Sequence, residues 1–174
     1  MASQFFRKLL LAEQASFNEG EIKILQKYFY MQPIFDIITF QHDMHKSMHH
    51  KMLNNLYKNG RKTSEDLVLH FKKLGINKKQ NLLKIWLDLV NMFGIAHLEI
   101  ISMDGKKAKV KLKTRKSSFA KEYISRYGKQ KEPVDFILAG AIAGFFSKFF
   151  NKNVECKETN CVAKGELYCQ LTVE

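Results

Sequence analysis

The spacing of apolar residues predicts a largely helical first half, followed by a second half in which helices alternate with hairpins. Phe5 to Ala15 predicts a short helix, followed by a turn at Asn18-Glu19-Gly20. Glu21 to Met31 carries two periods: Ile22, Ile24, Tyr28 and Tyr30 suit a strand, whereas Ile22, Leu25 and Phe29 suit a helix. Pro33 ends that segment or opens the next helix. From Ile34 to Lys58 the period is helical, with Ile37, Phe40, Met44, Met48, Met52 and Leu56 near one face, and Asn59-Gly60 predicts its end. Thr63 or Ser64 caps a second helix with Asp66 in its first turn; Leu67, His70, Phe71 and Leu74 form its stripe and Gly75 ends it. Asn77 starts a third, carrying Leu82, Ile85, Trp86, Leu89 and Phe93 and closed by Gly94.

The period then changes. Ala96 to Met103 and Lys106 to Thr114 predict a hairpin about Asp104-Gly105. Ser117 or Ser118 begins a helix through Arg126, and Pro133 begins a Gly/Ala-bearing helix ending near Asn151-Lys152. A second hairpin, Asn153 to Glu158 and Glu166 to Val173, closes the chain. The expected fold class is α+β, an antiparallel sheet covered by helices with a helical N-terminal half. Residues 1–60 are expected to form a helical extension packed on a ligand-binding core of residues 61–174.

With 45% hydrophobic and 12% aromatic residues, the chain has enough apolar material for a packed core, which excludes intrinsic disorder. The net charge of +12, from 29 Lys+Arg against 17 Asp+Glu, suits a nucleic-acid or acidic partner, although lysine rather than arginine dominates it. Phe136 to Phe146, about eleven residues, is too short to cross a bilayer. Phe5 to Ala12 is broken by Arg7 and Lys8 and lacks a small-residue cleavage site, so a cytoplasmic setting without a secretory leader is expected. Three cysteines, an odd number, then point to reduced thiols or metal ligands.

All three cysteines fall in the last hairpin region. Two thiolates and a carboxylate at Glu158, Cys161 and Cys169 are a reasonable partial shell for zinc, the turn around Gly165 bringing the two cysteines together. Taken alone, the spacing leaves a fourth ligand missing and equally allows inert cysteines packed as small hydrophobes.

The same region carries a resemblance. Ala139-Gly-Ala-Ile-Ala-Gly144, then Asn153-Val-Glu-Cys-Lys-Glu158, then Cys161-Val-Ala-Lys-Gly165-Glu-Leu-Tyr-Cys169-Gln-Leu-Thr-Val173 resembles the end of a 4-vinyl-reductase domain. The pattern Glu-x-x-Cys-x-x-x-Gly-x-x-x-Cys is matched at Glu158, Cys161, Gly165 and Cys169. The resemblance implies an α+β fold related to the TRAPP trafficking subunits, usually a homodimer, that binds a small hydrophobic or aromatic molecule beside a zinc site. In the phenol-sensing members one more cysteine ligand precedes the glycine-bearing helix. This chain has Asp135 at the matching distance, so the implied shell is Asp135, Glu158, Cys161 and Cys169, with Cys156 the alternative fourth ligand. A zinc held by four protein ligands is structural. The implied function is a non-enzymatic sensor or carrier with a zinc-stapled C-terminal hairpin.

A pocket in such a fold would be walled by Ala108, Val110, Leu112 and Thr114. Ala139 and Ala143 would leave room, Trp86, Phe93 and Phe146 would supply rings, and Cys156 would line it if it is not a ligand. Each of these residues also reads as ordinary core. His42, His45 and His49 share one helical face and could bind a metal or form a pH-sensitive surface. Thr63 to Lys113 has the order of a winged helix, so the basic hairpin 96–116 supports an alternative reading as a DNA-binding transcriptional regulator. No phosphate loop, dinucleotide fingerprint, zincin motif or nucleophile elbow points to catalysis.

Overall fold

The computed structural model describes residues 4–48 and 50–174, and the chain divides into two compact units, Met1–Pro33 and Ile34–Glu174. The first unit is a short helix α1 (Gln4–Leu11) and an antiparallel meander of β1 (Ala15–Asn18), β2 (Glu21–Ile24) and β3 (Lys27–Phe29). The ambiguous segment is therefore two strands. Its central residues Leu25 and Gln26 both have positive φ (50° and 63°), which reverses the chain in a tight turn and excludes a continuous helix. Across β1 and β2, Phe17 lies opposite Ile22, and the Phe6 ring meets Phe17 edge-on at 5.5 Å.

The second unit carries helices α2 (Ile34–Met48), α3 (His50–Lys73), α4 (Lys79–Met92), α5 (Ser118–Tyr127) and α6 (Phe136–Phe150). Its sheet is formed by β4 (Ala96–Asp104), β5 (Lys109–Ser117), β6 (Cys156–Asn160) and β7 (Cys169–Val173), in the order β4-β5-β7-β6, antiparallel throughout. This is the α+β class. Val110, Leu112, Leu171 and Val173 are buried on the inner face, while Lys109 and Lys111 point outward, the alternation a half-covered sheet requires.

The chain does not break at Asn59-Gly60, and the unit boundary falls at Pro33 rather than at residue 60. Gly60 stays helical in α3 because the α6 backbone runs against it. A Cβ on Gly60 would lie 2.2 Å from the Ile137 carbonyl oxygen, one on Gly140 1.9 Å from that of Tyr57, and one on Gly144 2.2 Å from that of Arg61. Three glycines thus let two helix backbones touch, the use that small residues find wherever helices cross closely. Arg61 secures the end of this contact by donating to Ser147 Oγ (3.0 Å), the Val154 carbonyl (3.2 Å), Glu155 (2.8 Å) and Asn153.

The first hairpin and the α5 cap form where the sequence predicts them. Asp104 Oδ1 accepts from the N–H groups of Lys106 and Lys107 in the turn, and Ser117 Oγ accepts from Ala120 N–H at the start of α5. The hairpin is built into the sheet, however. β5 is a central strand paired on both sides, so Lys109, Lys111 and Lys113 are not protecting an edge, and the hairpin is no free-standing wing. Lys109 lies 3.8 Å from Glu174, and the Lys113 ammonium sits 4.0 Å from the Tyr168 ring centre. Among the described residues no helix is long and apolar enough to cross a membrane.

Candidate functional site

Helix α6 begins at Phe136, three residues after Pro133, because tertiary partners hold the backbone before it. The Val134 carbonyl accepts from Gln41 Nε2 (2.9 Å), and Asp135 N–H donates to Glu158 Oε2 (3.2 Å). The second bond brings the chain ahead of α6 to the end of β6. There the strand register slips between Glu158 and Asn160, and a short 3₁₀ turn, Val162–Lys164, folds the chain back into β7. Gly165 ends that turn at φ +93°, a conformation open to glycine. Glu158, Cys161 and Cys169 consequently present ligand atoms that all lie within 4.8 Å of one another. Tetrahedral zinc with bonds of about 2.3 Å to sulfur has ligand–ligand edges of roughly 3.8 Å, so the spacing suits that ion.

Two further observations fit a cation here. Cys169 Sγ accepts from Val162 N–H at 3.2 Å, a bond that favours a thiolate. Asp135 Oδ1 and Glu158 Oε1 are buried with no hydrogen-bond partner, and such orphaned acceptors are costly unless something else satisfies them. Asp135 is buried, and Ser117 Oγ donates to its Oδ2 at 3.4 Å. Its carboxyl also interacts with Cys169 and Glu158, although it lies outside the three-atom group. Cys156 is not brought to the group. It lies two residues up β6, buried on a cavity wall, which removes it from the positions where the alternative fourth ligand would sit.

The ionisation of these groups follows from burial and proximity. Burial, then the Glu158 charge, raises Asp135 well above the carboxylate range. Burial, then Cys161, pushes Glu158 up to about 8. Cys161 is lowered to about 6, chiefly because the Cys169 thiol donates to it, and Cys169 is raised correspondingly. With no metal bound, both carboxyls hold their protons more tightly folded than unfolded, so stability falls as pH rises above the unfolded carboxylate value. The lowered Cys161 acts in the opposite sense, but only from about pH 6 upward. Metal-free protein is therefore expected to lose several degrees of melting temperature between pH 4.5 and 6, and Glu158→Gln to flatten that slope. A melting temperature that rises over this window in chelator-treated protein would contradict the assignment.

Beside the group lies a cavity of about 500 Å³ between α3, the start of α6 and β6. Leu53, Asn54 and Tyr57 form one wall, Phe136 and Ala139 a second, and Cys156, Glu158 and Asp135 the third. Tyr57 accepts from Cys156 N–H (3.0 Å) and donates to Glu155 (2.5 Å), which fixes its ring. Of the residues the sequence nominated for a pocket, Ala139 and Cys156 line this cavity. Trp86, Leu112, Ala143 and Phe146 do not. The Trp86 ring stacks on Phe145 at 4.2 Å, meets Phe146 edge-on at 6.2 Å and donates to Ser64 Oγ, so the expected rings fill the space by packing on one another. Phe93 caps α4 and is 42% exposed. The residues from α3 were missed because no motif marks Leu53, Asn54 or Tyr57; only the pairing of Gly60 with Gly140 and Gly144 brings α3 to the site.

The histidine face is also partly assigned. His42 stacks on Tyr127 (3.5 Å between ring centres, 9° between planes) and shares a hydrogen bond with the Tyr123 hydroxyl. His45 lines a second cavity, and His49 lies outside the described residues. Among the described residues the one grouping of three or more potential metal ligands is Glu158, Cys161 and Cys169.

In comparisons with solved structures, the chain is similar to the phenol-responsive sensory domain of the transcription activator PoxR, with a TM-score of 0.82 and 15% identity over 98% of this chain and 90% of that one. It is similar to a vinyl-4-reductase family protein from Methanocaldococcus jannaschii (TM-score 0.55, 20% identity, 100% and 96% covered). It also resembles a trafficking protein particle complex subunit 3 from Naegleria fowleri covalently bound to palmitic acid (TM-score 0.55, 13% identity, 81% and 93% covered). At these identities the likeness is one of fold. No curated protein sequence matches the chain. The model of the 4-vinyl-reductase domain matches residues 115–174, the span that holds α5, α6, the last hairpin and Asp135, Glu158, Cys161 and Cys169. Those residues of the chain belong to the 4-vinyl-reductase domain family.

Proposed function

We propose that this protein is a non-enzymatic small-molecule sensor, in which a structural zinc steadies one wall of an apolar ligand cavity. The observation that carries the reading is that Asp135 and Glu158 belong to both features. They line the 500 Å³ cavity, and they adjoin or form the metal-ligating group. Glu158, Cys161 and Cys169 would hold the ion, and Asp135 would complete the shell through its unpartnered Oδ1. Zinc there supplies no reaction; it ties the last hairpin to the start of α6. Closing that long loop restricts the unfolded chain and rigidifies the cavity wall.

The ligand this cavity suits is hydrophobic. Leu53, Phe136, Ala139 and Cys156 offer apolar contact, while the Tyr57 ring and the two carboxyls leave polar groups at its edge. The PoxR sensory domain was solved with phenol and the trafficking subunit with palmitic acid, which supports an apolar occupant in this fold. The sensor reading is favoured over that of a carrier by the higher TM-score with the sensory domain.

Native mass spectrometry of protein purified without added metal tests the reading. One zinc per chain is expected, and the same spectrum reads the dimer that the family resemblance implies. Phenol added to the zinc-loaded protein should raise its melting temperature by mass action. Asn54→Trp, which narrows the cavity mouth from an exposed position, should cut that rise by more than half. A metal-free protein indifferent to phenol would sink the proposal.

A further inference from the structure

A second cavity, of about 420 Å³, shares Leu53, Pro133 and Phe136 with the first but is built from different chemistry. Its inner end is Gln41, which is 1% exposed. The Gln41 amide nitrogen is committed to the Val134 carbonyl at 2.9 Å, which fixes the orientation of the side chain. Turning the amide over would set two carbonyl oxygens against each other. Its Oε1 is buried and has no partner, an arrangement that costs free energy unless a donor arrives.

The walls are aromatic and held in place. Tyr127 and the His42 imidazole stack face to face, and Tyr123 meets Tyr127 edge-on at 5.5 Å. The Tyr123 hydroxyl lies 3.2 Å from His42 Nδ1. Burial holds His42 below its ordinary value, so the ring is neutral near pH 7 and the stack carries no charge. At the other end, Lys129, Lys131 and Glu132 are exposed and line the mouth, leaving one net positive charge there. The cavity therefore has a buried acceptor at its base, flat aromatic walls and two ammonium groups at its opening.

We propose that this second cavity binds a small aromatic carboxylate that carries an O–H or N–H donor. The donor satisfies Gln41 Oε1, the ring lies against Tyr123, Tyr127 and Phe136, and the carboxylate meets Lys129 and Lys131 where water still reaches it. A buried acceptor of this kind discriminates strongly, because a ligand without the donor leaves it unpaired. The site is distinct from the apolar cavity beside the metal group and does not depend on that cavity's occupant.

Isothermal titration with 4-hydroxybenzoate as the probe, and benzoate as the analogue without the donor, tests this on the full chain. Wild-type protein is expected to bind 4-hydroxybenzoate about tenfold more tightly than benzoate. Gln41→Leu should erase that preference, and Lys129→Ala with Lys131→Ala should weaken both ligands several-fold and reduce their dependence on salt. Asn54→Trp, at the mouth of the first cavity, should leave the affinities unchanged. Equal binding of the two probes to wild type, or no binding at millimolar concentration, would overturn the proposal. So would a loss on Asn54→Trp, which would put the probe in the first cavity. The wild-type comparison and the surface lysine variants decide the matter even if Gln41→Leu fails to fold.

Discussion

Gly140→Ala is expected to lower the melting temperature by about 10 °C, the largest effect of any single methyl group in this protein. The added Cβ would stand 1.9 Å from the Tyr57 carbonyl oxygen and 2.8 Å from its carbon. Both are helix backbone, which has no alternative rotamer, so α3 and α6 would have to separate. Overpacking a core usually costs 1–3 kcal/mol, and a clash between backbones belongs at or above the top of that range, about 3–4 kcal/mol. For a domain of this size each kcal/mol corresponds to roughly 2–4 °C. Separation would also disturb the Arg61 bonds to Ser147, Val154 and Glu155 and widen the cavity between the helices. Gly105→Ala is the control: a Cβ there meets nothing within 4 Å, and its melting temperature should stay within about 2 °C of wild type. Thermal unfolding followed by circular dichroism reads both variants. A Gly140→Ala protein as stable as Gly105→Ala would show that the two backbones are not in contact.

Cys169→Ser is expected to remove zinc and stability together. Cys169 is fully buried, opposes Thr114 on β5 and is one of the three groups within 4.8 Å. A serine hydroxyl is a poorer ligand for zinc than a thiolate, so the ion should be lost on purification. A metal that binds only the folded state at a thousand times its dissociation constant stabilises it by about 4 kcal/mol. Losing it should lower the melting temperature by about 10 °C. Chelator-treated wild type and Cys169→Ser should then melt within a few degrees of each other, which separates the metal's contribution from the packing change. Cys156→Ser should keep its zinc, since Cys156 lines the cavity instead of joining the group. Plasma emission measurements of zinc per chain decide between these outcomes, and a Cys169→Ser protein with a full complement of zinc would dismiss the assignment.

Much of the second unit was readable from local pattern. Asp104-Gly105 marked the first hairpin, Ser117 the start of α5 and Asn151 the end of α6, the last in left-handed conformation at φ 55°. These signals are local in origin: a side chain bonding a nearby N–H, or a residue tolerating positive φ, acts without reference to the rest of the chain. The Glu158/Cys161/Cys169 group was readable for a similar reason, because one hairpin and one glycine turn hold all three. Asn59-Gly60 misled because the same dipeptide serves as a helix stop in isolation and as a close-contact point when a second helix covers it. The pocket misled for a related reason. Trp86, Phe145 and Phe146 are large enough to wall a cavity or to fill it, and hydrophobic pattern does not distinguish the two.

By itself, then, the sequence determined the fold class, the hairpin turns, most of the helix ends and the residues able to hold a metal, since each follows from spacing and backbone chemistry over a few residues. Only the tertiary structure decided where space remains. Two cavities flank Leu53, Pro133 and Phe136, with Asp135 and Glu158 at one and Gln41 at the other, across sequence separations of 23 and 93 residues between hydrogen-bonded partners. Cavities are what close packing leaves over, and their position depends on how helices and sheet approach one another over the whole unit rather than on any local run of residues.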